Sequence, residues 1–475
     1  MSRALRWYDK ITINIYWFAL NARSQTLSPL VIPLLVQQFV GEELKGSALG
    51  NIRLWALMTA VLVQALMGIL SDRSTFRLGR RRPFILIGTL GEIIVFALIG
   101  FAASMEGLTG YAVLFGLYIL SAIASNTAHA ATQGLIPDLV PDSQRGRYSG
   151  IKALLELPLP LVLVSLVIGK LVSAGNLWAG LITLMVVMVI CAALAMLVPE
   201  QEQEKVPFAL DWSPFLRLLV MTAVFTLLII GMGTFVRWFM QLPLDLPLGL
   251  WHAAAAFVGI LAMTVAIGAG VLASLRIGVG KDIQYLPSFK WWVVNRLAFL
   301  TASTNIATFL LFFLQERFSE FQGERAAGPA AIIAMFVGVF ILLTAVPSGW
   351  LADRFGKKPL IVIAGLLGAG GITLIVLVSS MTAIYIGGSI VGAGIGLFYS
   401  ANWALGTEIV PREQAGRFLG LSNLAGAGAG AIGAYIGGPI ADALGYTLII
   451  GIYGFLFLIS ILALLGVQEK RPEPV

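Results

Sequence analysis

The chain is 475 residues long, 58% hydrophobic and only 12% charged, with a mean hydropathy of +0.91. A soluble domain carries about twice that charged fraction, so a soluble fold is excluded. The net charge of +7 would ordinarily raise nucleic acid as a partner. Here the basic residues gather in a few short loops between apolar runs, as the positive-inside bias requires, and nucleic acid is set aside.

Apolar runs of about 20 residues, the length that crosses a bilayer, recur along nearly the whole chain. In order they fall near 11–39, 47–71, 83–103, 109–135, 149–173 and 177–198. No cleavable signal is expected, because Asn14, Asn21, Arg23 and Gln25 interrupt the first run. A polar break, Pro199-Glu-Gln-Glu-Gln-Glu-Lys205, precedes two spans near 214–237 and 248–274. A second polar stretch carries Arg276, Lys281, Asp282 and Lys290. Six more spans follow near 291–315, 328–351, 359–379, 382–406, 418–440 and 446–467. Cys191, the single cysteine, lies inside an apolar run and reads as packing.

An internal repeat organises these spans. Gly68-Ile-Leu-Ser-Asp72-Arg73, followed by Leu78-Gly79-Arg80-Arg81-Arg82-Pro83, returns shortened as Gly349-Trp-Leu-Ala-Asp353-Arg354-Phe-Gly356-Lys357-Lys358-Pro359. Pro137-Asp138-Leu-Val-Pro141-Asp-Ser-Gln144-Arg-Gly146-Arg147 likewise matches Thr407-Glu408-Ile-Val-Pro411-Arg-Glu-Gln414-Ala-Gly416-Arg417. The offsets, 281 between the aspartates and 270 between Pro141 and Pro411, exceed the roughly 200 residues that six helices occupy here, leaving room for two inserted helices. The expectation is an all-α polytopic membrane protein with about fourteen transmembrane helices in a six-plus-two-plus-six plan. Its parts are a six-helix bundle over 1–198, a linker with the inserted pair over 199–290, and a second bundle over 291–475. Basic residues follow the even-numbered spans, and Arg3, Arg6 and Lys10 precede the first, which places both termini in the cytoplasm.

These motifs resemble those of the major facilitator superfamily, whose signature loop is Gly-x-x-x-Asp-Arg followed by Gly-Arg-Arg/Lys in each half. The longer form, Ser71-Asp72-Arg73 through Arg77-Leu-Gly79-Arg80-Arg81-Arg82-Pro83-Phe84, is similar to the glycoside-pentoside-hexuronide symporters and plant sucrose transporters. The inserted pair departs from the twelve-helix plan of those sugar carriers. The resemblance implies two six-helix bundles that rock around a central site. It also implies a gate built from Gly68, Asp72, Arg73, Gly79, Arg80 and Arg147 in the first half, and Gly349, Asp353, Arg354 and Arg417 in the second. Asp72 with Arg147 is the expected network, and Gly68 and Gly349 are expected to admit a neighbouring helix. Gly426-x-x-x-Gly430 and Gly433-x-x-x-Gly437 carry the spacing for tight helix contact.

Polar residues inside a membrane must face protein or a water-filled cavity. The first and fourth spans of each half, which the resemblance places around that cavity, are the ones that carry polar stripes. Asn14, Asn21, Gln25 and Ser28 lie on the first; Asn126, His129 and Gln133 share a face of the fourth; Thr301, Thr304, Asn305 and Thr308 share a face of the ninth. The twelfth offers Ser389, Gly392, Gly396, Tyr399 and Trp403. Asn21, Gln25, Asn126, His129, Gln133, Thr304, Asn305, Tyr399 and Trp403 are the candidate substrate contacts. The same residues could instead bond helix to helix.

Arg23 stands about twelve residues into the first span, roughly 18 Å along the helix. It points about 200° away from Asn21 and Gln25, so it cannot share their face. A buried arginine needs a carboxylate, and Glu92 or Glu156 could supply it. Glu156 also has Lys152 one turn away, a competing local partner. Arg23, Glu92 and Glu156 are therefore the candidates for coupling to a proton.

The chain shows no Walker loop, no Cys/His metal spacing and no Gly-x-Ser-x-Gly elbow, so neither an enzyme, a cofactor nor a metal is expected. The reading is a secondary transporter moving a small solute by alternating access, with proton-coupled sugar transport favoured. Efflux of amphipathic compounds, or a non-transport assembly or sensor role on the same fold, stays open.

Overall fold

The structure, a computed structural model, describes residues 6–200, 212–243, 246–278, 280, 287–410 and 415–468, with side chains from 426 onward in the last stretch. Among the described residues it is helical throughout. The first span, α1 (9–40), is broken into Asp9–Thr12, Ile15–Thr26, a wide π turn over Leu27–Val31, and Ile32–Val40. Then follow α2 (Lys45–Asp72), α3 (Arg82–Ala102), α4 (Gly107–Leu139), α5 (Asp142–Ser173) and α6 (Leu177–Ala195). The inserted pair is α7 (Ser213–Met240) and α8 (Leu248–Gly278). The second half comprises α9 (Pro287–Arg317), α10 (Ala327–Phe355), α11 (Lys357–Leu377), α12 (Met381–Ile409), α13 (Ala415–Leu444) and α14 (Tyr446–Ala463). Among the described residues, twelve of these helices are long and apolar enough to cross a membrane by length and composition.

The breaks in α1 and α5 have local causes. Asn14 sends its side-chain amide to the carbonyls of Lys10 (2.9 Å) and Tyr148 (3.2 Å), competing with the helix ladder. Pro29 and Pro33 remove two backbone donors at the π turn. In α5, Pro158 and Pro160 follow the bend at Leu157, and a second π turn spans Val164–Ile168.

By contacts the chain divides into two compact units that cut across the halves of the sequence. One unit comprises 1–40, 59–216 and 323–331; the other comprises 41–58, 217–322 and 332–475. In the first, α3 and α4 are drawn together by small residues. A Cβ on Gly88 would lie 2.6 Å from the Ala124 carbonyl, and one on Gly91 would lie 3.0 Å from the Ala124 methyl. The start of α10 also belongs here: Ser165 donates to the Ala331 carbonyl at 2.6 Å, and Gly169 faces the Ala331 methyl.

In the second unit α9 is the central helix and the most buried of the membrane-length helices described. Phe299 stacks on Phe398 of α12 at 3.6 Å between ring centres. Gly371 and Gly387 bring the backbones of α11 and α12 into contact. Hydroxyls stitch α10 to α12, Thr344 donating to the Ala393 carbonyl (3.0 Å) and Ser348 to that of Leu397 (3.1 Å). The first part of α2 packs here on α13, where Cβ atoms on Gly46 and Gly438 would each meet the other's carbonyl, at 2.9 and 2.5 Å. Asp442 of α13 accepts from the amides of Gly46 and Ser47 at 2.7 Å each, capping α2 from another helix. The inserted pair leans on α13 as well: Gly233 faces Tyr435, Gly259 faces Ile440, and Phe225 lies against Gly428.

Candidate functional site

In the first unit three helices converge on one buried charge pair. Glu92, midway along α3, is wholly buried. Arg23 of α1 reaches it with Nε 3.0 Å from Oε1, and its side chain is 13% exposed. Ser121 of α4 completes the set by accepting from Arg23 and donating to Glu92 at 2.9–3.0 Å. The close approach at Gly88 and Gly91 is what brings the Ser121 face of α4 to the carboxylate. Tyr16 and Thr89, hydrogen-bonded at 2.6 Å, brace the same α1–α3 contact. Glu156 is elsewhere, paired with Lys152 at 3.5 Å. Of the two carboxylates the sequence offered Arg23, the structure selects Glu92.

A polar cluster lies on α4. His129 meets the edge of Trp17 with ring centres 5.2 Å apart, and its Nε2 is 3.3 Å from the amide nitrogen of Gln133. Gln133 in turn accepts from Gln64 of α2 at 3.1 Å. Lys152 of α5 sits 3.8 Å over the Trp17 ring. Gln64, Trp17 and Lys152 were not candidates from the sequence, because none of them belongs to a polar stripe at helical spacing. Asn21 and Asn126 return their amides to the carbonyls of Trp17 and Ala122 on their own helices. Gln25 is half-buried.

The stripe on α9 behaves differently. Asn305 is fully buried and donates both to Thr301 of its own helix (2.8 Å) and across to the Ala429 carbonyl of α13 (3.0 Å). Thr304 and Thr308 bond back one turn. Helical spacing put these residues on one face, but that face meets α13, so Asn305 holds helices together in this structure. Ser389 bonds back to Tyr385, while Gly392 and Gly396 make room for the backbone of α10. Tyr399 and Trp403 remain about two-fifths exposed.

The two signature loops share one plan. Gly79 and Gly356 take positive φ, +101° and +90°, and each leads into the next helix. In the first half Arg80 pairs with Asp138 at 2.5 Å, and Arg81 bonds Asp138 (2.8 Å), Ser71 (2.5 Å) and Asp72. The carboxylate of Glu200 accepts from the amides of Arg81 and Arg82 at 2.8–3.0 Å, at the positive start of α3. Burial works against the Arg81 charge, but Asp138 and Asp72 outweigh it and hold its pKa above the ordinary arginine value. In the second half Lys357 pairs with Glu408 at 2.8 Å, the counterpart of the Arg80–Asp138 pair.

Three gate expectations need correction in this structure. Asp72 meets Arg81 rather than Arg147, which is exposed and has no ion-pair partner among the described residues. Asp353 is exposed and likewise unpaired among them, and Arg354 lies over Trp350 at 5.5 Å. Among the described residues no neighbour comes within 4 Å of a Cβ built on Gly68 or Gly349, so neither glycine answers a close helix contact there. Close contacts in the region lie instead at Gly134, against the Arg81 guanidinium, and at Gly79, against Glu200. Among the described residues none comes within 4 Å of a Cβ on Gly426 either, although Gly430, Gly433 and Gly437 are tightly packed. Arg73 is exposed. Arg417 lies outside the residues whose side chains are described.

The family model of the Major Facilitator Superfamily matches residues 18–315 and 292–475. The chain belongs to the Major Facilitator Superfamily. Among curated members, a sucrose transport protein (SUC3) of Arabidopsis thaliana is 33% identical over 111 residues, 20% of this chain and 18% of that protein. A general alpha-glucoside permease of Schizosaccharomyces pombe is 34% identical over 99 residues, 18% of each chain. The matched stretch thus spans under a fifth of either relative. Solved superfamily folds align over nearly the whole chain. A D-xylose-proton symporter covers 98% of this chain and 99% of its own, with a TM-score of 0.64 and 16% identity. A POT family transporter in complex with a thioalcohol-conjugated peptide covers 96% and 94%, with a TM-score of 0.65 and 16% identity. This superfamily chain is therefore a multi-pass membrane protein with a transporter fold.

Proposed function

We propose that the chain is a secondary carrier that couples proton movement to the passage of a small polyhydroxyl solute, a sugar being the favoured class. It would work by alternating access, with both termini in the cytoplasm. Superfamily membership supports transport in general, and the two partial relatives, a sucrose transporter and an alpha-glucoside permease, favour sugar.

The observation that carries the coupling is the burial of Glu92 behind Arg23. A buried ion pair costs desolvation that well-packed apolar residues avoid, so stability alone gives little reason to keep one. Arg23 is the more exposed partner, and among the described residues Glu92 is paired with no cation other than Arg23. If Arg23 is drawn toward solute hydroxyls, Glu92 loses its counter-charge, and an unpaired carboxylate inside a membrane span is costly enough to call for a proton. Solute arrival and proton uptake are then linked through one guanidinium. The cluster of Gln64, His129 and Gln133 supplies hydrogen-bonding groups, and Trp17 an aromatic face, as a polyhydroxyl ligand requires. The loop networks around Asp138 and Glu408 are proposed as the gate, with Asp72 acting through Arg81.

Counterflow in proteoliposomes tests this. Glu92→Gln should retain solute exchange at equal concentrations while losing uphill accumulation driven by a pH gradient. A Glu92→Gln protein that still accumulates solute against its gradient would remove Glu92 from the coupling step.

A further inference from the structure

The second unit contains a buried cation that the reading above does not use. Arg296 stands nine residues after the start of α9, roughly 14 Å along the helix, and is only 9% exposed. A guanidinium so buried cannot shed its proton and ordinarily sits against a carboxylate. Among the described residues Arg296 has none.

What it does have is a directed chain of amides. Nη1 of Arg296 donates to the side-chain oxygen of Asn402 on α12 at 3.1 Å. The Asn402 amide donates to the oxygen of Asn295 at 2.8 Å, and the Asn295 amide donates to the Ser460 carbonyl of α14 at 2.8 Å. Each amide is thus oriented by the next, and the oxygen facing Arg296 is held in place. Trp292 donates to the Asn402 backbone carbonyl at 2.9 Å, fixing the indole. The guanidinium lies between two indoles, 5.9 Å from the Trp292 ring centre and 5.5 Å from that of Trp403.

This scaffold consumes one side of the guanidinium and leaves the other. Nε is buried with no hydrogen-bond partner, and no partner of Nη2 is found among the described residues. Nε and Nη2 together form the edge that grips a carboxylate with two parallel hydrogen bonds. Beside it on α12, Tyr399 and Trp403 lie one turn apart on the same face and are partly exposed, so the edge is flanked by accessible aromatic surface.

We infer that the Nε–Nη2 edge of Arg296 is a carboxylate-binding subsite, and that the solute it receives is an organic acid whose body rests on Tyr399 and Trp403. The subsite offers one planar fork and a single positive charge, which matches a carboxylate better than a doubly charged phosphate. The inference goes beyond the carrier reading by setting the charge of the ligand, and it is tested by binding, so a failure of transport and a failure of this subsite are separable.

The test uses the purified full chain in nanodiscs of neutral lipid, with tryptophan fluorescence read during titration. The probes are D-gluconate and D-sorbitol, which differ only in the carboxylate, with inorganic phosphate as a second anion. Gluconate should quench saturably while sorbitol does not, and Trp403→Phe should remove most of that signal. Arg296→Lys keeps the charge but loses the fork, and should weaken gluconate at least 10-fold; Arg296→Gln should abolish binding. Should the Gln variant misfold, the Lys variant and the sorbitol comparison still decide. Equal responses to gluconate and sorbitol, no response to gluconate at tens of millimolar, or an undiminished response in Arg296→Lys would each overturn the subsite. So would stronger quenching by phosphate than by gluconate. Nanodiscs containing anionic lipid provide the last arm: saturation of the fluorescence change by lipid alone would assign the cation to a headgroup instead.

Discussion

Replacing Glu92 by leucine removes the one carboxylate that Arg23 touches among the described residues. Truncating one member of a buried pair costs about 3–5 kcal/mol, because the survivor keeps its charge and loses its compensation. Arg23 cannot relieve the loss by deprotonating. The converse change, Arg23→Met, leaves a carboxyl that can be neutralised by a proton and still accepts from Ser121, so its cost should be nearer about 1–3 kcal/mol. Making both changes places apolar atoms where the pair lay and should cost about 1 kcal/mol or less. The three values imply a coupling of about 3 kcal/mol or more between two residues separated by 69 positions. Reversible unfolding of the purified protein in mixed micelles, driven by an increasing fraction of denaturing detergent, gives all three numbers. Equal slopes across the variants are needed for the comparison. Additive losses, with a coupling below about 0.5 kcal/mol, would show that the pair is not an energetic unit, and the proposed link between solute and proton would lose its basis.

Further outcomes follow from the loops and the contacts between α2 and α13. Asp138→Asn deprives both Arg80 and Arg81 of a carboxylate and should cut transport several-fold at unchanged membrane insertion, measured by uptake normalised to inserted protein; full activity would take Asp138 out of the gate. In the second loop Lys357→Glu and Glu408→Lys should each impair uptake, and the combined swap should restore at least half of it, an outcome that simple loss of either side chain cannot produce. Asp442→Ala should speed hydrogen exchange at the amides of Gly46 and Ser47 by about 10-fold, the equivalent of about 1.4 kcal/mol for a lost helix cap, and unchanged exchange in peptides covering 44–50 would refute the capping. Gly438→Val sets a side chain against the backbone of Gly46 and should lower the yield of monodisperse protein, whereas Gly68→Val, in open space, should not.

The plan of the molecule was legible because hydropathy and the repeat are properties of the chain alone. Offsets larger than six helices exposed the inserted pair, and that pair is present as α7 and α8. Helical spacing also showed which side chains share a face, but it could not say what the face meets. Asn305 illustrates the difference: its stripe is real, and α13 covers it. The loop network was half-visible. Asp138 and Glu408 stood at equivalent places in the repeat, yet their pairing with Arg80, Arg81 and Lys357 joins the start of one helix to the end of the next and is not encoded in spacing. Arg296 went unread because a single arginine near the edge of a long apolar span resembles an interfacial anchor until its burial is known.

Asp442 and the amides it caps are 395 and 396 residues apart in the chain, and this separation bears on how the protein is made. The start of α2 enters the membrane among the first segments synthesised, with its terminal donors and the small-residue face at Gly46 and Gly50 unanswered. Their partners belong to α13, which emerges eleven helices later. Such distant contacts form late, after the loop-closure entropy of the intervening chain has been overcome. The beginning of the second helix is therefore among the last parts of the protein to settle. Truncations or stalled synthesis near the carboxyl end should announce themselves as fraying at Lys45–Gly50, far from the lesion, and quality-control proteases would meet that early segment first.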